Sequence, residues 1–253
     1  MLSVIDISTH QKNVNYQKVK DSGVQGVILR IGYTGYGVSK SKNKDAEFEK
    51  HYKGFTQVGL PIGIYWYSCA YSEEEAIVEA KKTLEFLANR PIELGVWWDT
   101  EDTHDTTKWG LAKVNQRMLS KEKLTSIARA YCNYIRDNGH KEVGIYASTS
   151  WLNNELDMSK LQDYMVWVAH YGVSKPTYKG KYDMWQYTSS GKVNGISGNV
   201  DMNKLYTDLI DNELKVGDSV KIDKDYVITE TNETQSFIGE LNAWIDNKYL
   251  IKS

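Results

Sequence analysis

Eight short runs of β-branched and aromatic residues recur along this chain, most of them separated by segments with helical patterning. They are Ser3 to Ser8, Gly26 to Tyr33, Pro61 to Ser68, Leu94 to Glu101, Glu142 to Ser148, Met165 to Tyr171, Tyr182 to Thr188 and Val200 to Tyr206. Tyr16 to Ser22, Asp45 to Val58, Ser72 to Asn89 and Ser120 to Asn138 read as helices. Ser72 and Glu75 have capping-box spacing, and Asn138-Gly139 is a C-terminal stop signal. Near-continuous apolar strands alternating with helices imply a parallel sheet covered by helices, and eight of them imply closure into a barrel. The stretches Leu156 to Met165 and Tyr171 to Tyr182 leave room for little helix. The expected fold is therefore α/β, an irregular (β/α) TIM-like barrel with eight strands and fewer than eight helices.

The pattern breaks after Asp211. Val216 to Ile222, Tyr226 to Thr229 and Ser236 to Leu241 read as short strands around the polar breaks Asp223-Lys224-Asp225 and Thr231-Asn232-Glu233. The expected division is a barrel over 1–210 and a small β-rich appendage over 211–253, either a wall-binding module or a structural tail. Trp244 and Tyr249 stand out as aromatic rings in a polar segment.

Composition removes several classes of function. A net charge of −2 provides no basic field for nucleic acid or an anionic membrane, and no stretch is apolar enough to span a bilayer. The two cysteines, Cys69 and Cys132, lie far apart without metal-ligand spacing and read as buried thiols. The first strand starts within a few residues of Met1, so the expectation is a product made in the cytoplasm without a signal peptide. Against 4 Phe stand 8 Trp and 18 Tyr, a bias toward rings that stack on sugars and hydrogen-bond their hydroxyls.

The chemistry concentrates at Val96-Trp97-Trp98-Asp99-Thr100-Glu101. Side chains two apart on a strand share a face, so Asp99 and Glu101 stand together at a strand end. Two carboxylates in a partly apolar setting do not ionise equally easily, so one keeps its proton as an acid while the other stays charged. That is equipment for cleaving a glycosidic bond. Chemistry in a parallel barrel collects at the carboxyl ends of the strands. There the chain places Asp6, Tyr65, Tyr67, Asp99, Glu101, Tyr146, Trp167, Ala169, Tyr171, Gln186 and Asp201.

Asp6-Ile7-Ser8 with Gln11, Tyr65-Trp66-Tyr67-Ser68, Asp99-Thr100-Glu101, Tyr146-Ala147-Ser148, Trp167-Val168-Ala169 with Tyr171, Trp185 to Ser189 and Val200-Asp201-Met202-Asn203 occur in that order. The ordered set resembles family-25 glycoside hydrolases, the muramidases that cut bacterial peptidoglycan, and covers residues 1 to about 210. The compact chain also looks like a bacteriophage endolysin of that family, acting on the wall after release through a holin. The resemblance implies hydrolysis of the β-1,4 bond from N-acetylmuramic acid to N-acetylglucosamine. It implies Glu101 as general acid/base, Asp99 and Asp6 beneath the sugar, and Asp201 completing an acidic floor. Tyr65, Tyr67, Tyr146, Trp167, Tyr171 and Gln186 are the expected substrate contacts. A raised pKa is expected for Glu101, under charge pressure from Asp99 and with Trp97, Trp98 or other rings lowering the dielectric. Whether the nucleophile is a carboxylate or the substrate's 2-acetamido oxygen stays open at this point.

Other chemistries fit less well. Asp99 to Asp105 is rich in ligands, but the calcium-loop template finds His104 at its sixth position and Gly110 at its twelfth. No histidine has zinc-site spacing, so neither metal nor cofactor is expected. Ser68 and Ser148 lack a G-x-S-x-G setting. Gly32 to Gly37 lacks nucleotide-loop spacing and reads as a loop at the cleft rim. The competing class is a carbohydrate-binding protein that kept the barrel and lost catalysis, which would have no reason to hold Glu101 beside Asp99.

Overall fold

The computed structural model describes residues 1–35, 40–102, 116–207, 209, 228–232, 234–238 and 243–246. Contacts divide the chain into two units, Met1–Ile210 and Asp211–Ser253. In the first, the strands are β1 (Leu2–Ile7), β2 (Gly26–Thr34), β3 (Lys42–Lys44), β4 (Ile62–Tyr67), β5 (Val96–Asp99), β6 (Val143–Ser148), β7 (Met165–Ala169), β8 (Met184–Gly191) and β9 (Val200–Leu205). The helices are α1 (Tyr16–Asp21), α2 (Phe48–Gln57), α3 (Glu73–Leu87), α4 (Lys121–Asp137) and α5 (Thr149–Asn154).

The sheet runs β1-β9-β8-β7-β6-β5-β4-β2-β3, and a further β1–β2 pairing closes eight of these strands into a barrel. All eight expected strands are present. β3 is an addition, a short antiparallel strand laid on the outer half of β2. Its Lys-Asn-Lys sequence carries no β signal, and only the pairing makes it a strand.

One strand reverses the expected direction: β9 is antiparallel to both β8 and β1. The segment from Gly191 to Val200 is too short for a crossover helix, so the chain turns back directly. The mouth of the barrel is therefore built from seven carboxyl ends and one amino end. This reversal sets Asp201 opposite Asp6.

Four of the five described helices begin where a side chain satisfies a free backbone amide. Asn15 accepts from Lys18 N, Ser72 from Glu75 N, Ser120 from Lys123 N and Ser148 from Trp151 N. At α3 the box is offset by one residue: Glu75 Oε2 accepts from Tyr71 N, before the cap. α4 ends at Asn138, followed by Gly139 at φ +99°. α5, six residues beginning directly at the end of β6, escapes the sequence reading because it is too short for a periodicity signal.

Alternation sorts the aromatics into two cores. Trp66 and Trp98 face outward into the layer under the helices. Trp97 and Trp167 face inward with Val4, Ile28, Leu94, Met184 and Leu205, filling the barrel. A side chain at Gly144 would put its Cβ 2.4 Å from Trp97 Cζ3, so the indole occupies the space that the glycine leaves open.

In the second unit, β10 (Ile228–Thr231), β11 (Gln235–Ile238) and β12 (Ala243–Asp246) form an antiparallel meander. The turn at Asn232 is closed by its Oδ1, which accepts from the amides of Thr234 and Gln235. The expected strand at Val216 to Ile222 and the ring of Tyr249 lie outside the described residues, as does the side chain of Trp244. β12 is an addition to the expected strands.

Candidate active site

A pocket opens at the mouth of the barrel, lined by Asp6, Tyr65, Asp99, Glu101, Tyr146, Trp167, Tyr171, Gln186 and Asp201. These include all four expected carboxylates and five of the six expected substrate contacts. The exception is Tyr67, half-buried at the end of β4, where it pairs with Asp99 but does not line the pocket. Ala169 lies in the barrel interior below the mouth.

The floor is an ordered network. Gln186 Nε2 and Asn203 Nδ2 both donate to Asp6 Oδ2, each at 2.8 Å. Gln186 Oε1 in turn accepts from Tyr146 Oη at 2.8 Å and from Tyr171 Oη. Trp167 Nε1 donates to Asn203 Oδ1 at 2.8 Å, which fixes that amide's orientation. Rings of Tyr65, Trp97 and Tyr146 pack edge-on around Trp167, the closest with centroids 4.6 Å apart. Aromatic faces thus sit under and beside the acidic floor. Trp98 takes no part, because it faces the helices.

Burial decides which carboxyls hold protons. Asp99 is 3% exposed, and burial holds its carboxyl well above the ordinary range. The charges of Glu101 and Asp6 add to this, and Arg30 opposes it. Asp6 is pushed up to about 8, first by burial and then by the charge of Asp201, against the amides of Asn203 and Gln186. Burial raises Asp201 to about 6. Glu101 stands half-buried beside Asp99, at the open end of the same strand. Glu101 acts on Asp99 by its charge and through a hydrogen bond between the two side chains. Asp99 Oδ1 is buried with no hydrogen-bond partner among the described residues.

Two site residues escape the sequence reading. Asn203 sits two residues after Asp201 on the same face of β9 and bonds Asp6. Arg30, two after the inward Ile28, donates from Nε to Asp45 Oδ2 at 2.7 Å and lies within charge reach of Asp99. Strand alternation was the available signal for both.

Cys69 and Cys132 are free and buried, and burial pushes both thiols up. Among the described residues no group of three or more His, Cys, Asp or Glu could hold a metal ion. The ligand-rich loop reading depends on His104 and Asp105, which lie outside the described residues. So do Tyr36 and Gly37 of the glycine loop. No described helix is long and apolar enough to cross a membrane.

A closed barrel with an acidic floor, aromatic walls and a paired Asp and Glu at one strand end defines the carboxylate-equipped TIM-like barrels as a class. Within it, this chain belongs to glycosyl hydrolases family 25, matched over residues 5–196. The autolytic lysozyme of Clostridium acetobutylicum is 29% identical over 223 residues, 87% of this chain and 59% of that protein. The modular autolysin LytC of Streptococcus pneumoniae, solved with a synthetic peptidoglycan ligand, is 27% identical with a TM-score of 0.67. That match covers 80% of this chain and 46% of LytC. The catalytic domain of endolysin ply40, from bacteriophage P40 of Listeria monocytogenes, is 28% identical with a TM-score of 0.64, covering 83% of this chain and 95% of that one. The chain thus spans less than two thirds of the length of the first two relatives.

Proposed function

We propose that this chain is an N-acetylmuramidase, hydrolysing the β-1,4 bond between N-acetylmuramic acid and N-acetylglucosamine in bacterial peptidoglycan. The observation that carries the reading is the hydrogen-bonded Asp99–Glu101 pair at the edge of an aromatic-walled pocket with Asp6 and Asp201 on its floor. Glu101 protonates the glycosidic oxygen as the bond to C1 breaks. It then takes a proton from the water that attacks C1.

Asp99 Oδ1, buried with no hydrogen-bond partner among the described residues, favours substrate assistance over direct carboxylate attack. A carboxyl that burial drives toward its neutral form is a poor nucleophile, but it regains charge when a donor reaches it. The 2-acetamido N–H is such a donor. Accepting it turns the acetamido oxygen toward C1, giving a cyclic oxazolinium intermediate that water opens with retention. Asp6 and Asp201 add negative charge beneath the developing cation. Tyr171, 45% exposed, offers a ring at the rim for a neighbouring sugar.

Likeness to an autolytic lysozyme and to a phage endolysin domain supports action on the cell wall. An endolysin-type role, with release from the cytoplasm through a holin, belongs to the same proposal. The test is turbidity loss of purified Gram-positive walls. Glu101→Gln should lower turnover by at least about 100-fold while the protein stays folded. A folded variant with near-full lytic activity removes Glu101 from the mechanism, and a wild type that binds walls without lysing them points to a silent glycan-binding protein.

A further inference from the structure

Between the two carboxylates lies Thr100, fully buried, with its hydroxyl directed away from the pocket and into a chain of hydrogen bonds. Thr100 Oγ1 donates to Gln116 Oε1 at 2.7 Å. Gln116 Nε2 donates to the Ala70 carbonyl at 2.8 Å and to Ser68 Oγ at 3.4 Å. Ser68 Oγ donates to Glu79 Oε2 at 2.7 Å, while Glu79 Oε1 accepts from Thr34 Oγ1 at 2.6 Å and from the Cys69 amide at 3.3 Å. The Ala70 carbonyl can only accept, which fixes the Gln116 amide and with it the direction of every bond in the chain. All protons point toward Glu79.

The group that ends the chain accepts at both of its oxygens, which a carboxylate does and an amide cannot. Glu79, on α3, is 0% exposed and faces no salt-bridge partner within the hydrogen-bonded chain. Burying such a group is costly where packing alone is needed, and a glutamine or an apolar side chain would fill the same space. The far end of the chain is anchored as well. The Ser68 amide donates to the Asp99 carbonyl at 2.9 Å, and the Thr100 amide donates to the Tyr146 carbonyl at 3.1 Å. On the other flank of Glu101, Asp102 accepts from Arg117 Nη1 at 3.0 Å, so consecutive residues of one short turn hold both neighbours of Glu101.

We infer that Glu79 is a positioning residue, the acceptor-only terminus of a buried chain that holds Asp99-Thr100-Glu101 in its working orientation. The inference rests on the reading of Asp99 and Glu101 as the reacting pair. Burial raises the Glu79 carboxyl to about 6, opposed by Thr34, Ser68 and the charge of Lys42, so it is ionised at neutral pH and able to accept throughout.

The test uses the full chain carrying Glu79→Gln, Glu79→Asp, Thr100→Val and the Glu79→Gln/Thr100→Val pair. Turnover and KM are measured on soluble peptidoglycan glycan fragments, and the Asp99 carboxyl is titrated by ¹³C NMR without substrate. Glu79→Gln should lower kcat about 10- to 100-fold, the scale of a displaced reacting group, with KM changed by less than about twofold. Glu79→Asp should retain more activity than Glu79→Gln, although it fits the space less well, because it keeps two accepting oxygens. The pair should be no worse than its weaker single variant, since both cut one chain, and the Asp99 titration should move in each. If Glu79→Gln does not fold, Thr100→Val breaks the other end of the chain with the carboxylate intact. Normal kcat with an unmoved Asp99 titration, in either single variant, overturns the inference. So does Glu79→Gln outperforming Glu79→Asp, which is the order that volume alone predicts. A wild type inactive on glycan would sink the functional reading, while the titration still decides the positioning role.

Discussion

Asp6 receives two amide donors and still binds its proton up to about pH 8, which shows how far burial outweighs hydrogen bonding on this floor. The consequence is a stability that depends on pH with an unusual sign. A carboxyl whose folded pKa lies above its unfolded value stabilises the fold fully below the unfolded pKa and loses that contribution as pH rises through the folded one. Asp6 at about 8, Asp201 and Glu79 at about 6, and Asp99, held above its ordinary range by burial, all act in this direction. The thermal midpoint should therefore rise as pH falls from 8 toward about 5, before ordinary carboxylates titrate. Asp6→Asn, which can still accept from both amides, should raise the midpoint at pH 8 and change it little at pH 4. A midpoint that falls steadily from pH 8 to 5 would contradict the assignment of the buried protons. Asp99→Asn should cripple turnover, because orienting the acetamido group requires a charge that an amide cannot supply. Products in the β configuration, caught by rapid NMR, are expected from wild type, and fresh α products would exclude the retaining route.

The elements were legible where their patterns are long and local, and less so where tertiary pairing decides. All eight barrel strands carry β-branched and aromatic runs, α2 to α4 are long enough for a helical period, and α1, α3 and α4 start at side-chain caps. Alternation with helices implies parallel strands, a rule that fails for β9 because its connection from β8 is too short to cross over and return parallel. The inference still placed Asp201 at the mouth, since a strand that runs backward begins where its neighbours end. The D-x-E spacing points to the reacting pair and strand alternation points to Arg30 and Asn203, whereas Glu79 is visible only through its partners. A glutamate inside a helix offers no hint that its carboxyl is buried against a strand end. Packing at this scale is testable at Gly144 on β6. Gly144→Ala should destabilise the barrel by about 1 to 3 kcal/mol through overpacking against Trp97. An unchanged unfolding free energy would mean that the indole moves aside freely.

On the scale of the whole molecule, every residue placed at the pocket belongs to the unit Met1–Ile210. We propose that the unit Asp211–Ser253 helps hold the enzyme at the wall. Truncation after residue 210 should spare cleavage of soluble glycan fragments and reduce lysis of intact walls, because tethering raises local concentration at an insoluble substrate. Equal losses on both substrates with a lower melting temperature would instead assign the unit a structural role. The Asp99–Glu101 pair is assigned to one bond of the glycan. The most direct measurement is mass spectrometry of wall fragments after borohydride reduction of the newly formed sugar ends. Reduced N-acetylmuramic acid is expected at those ends, abolished by Glu101→Gln. Reduced N-acetylglucosamine, or new peptide termini with intact glycan, would contradict it.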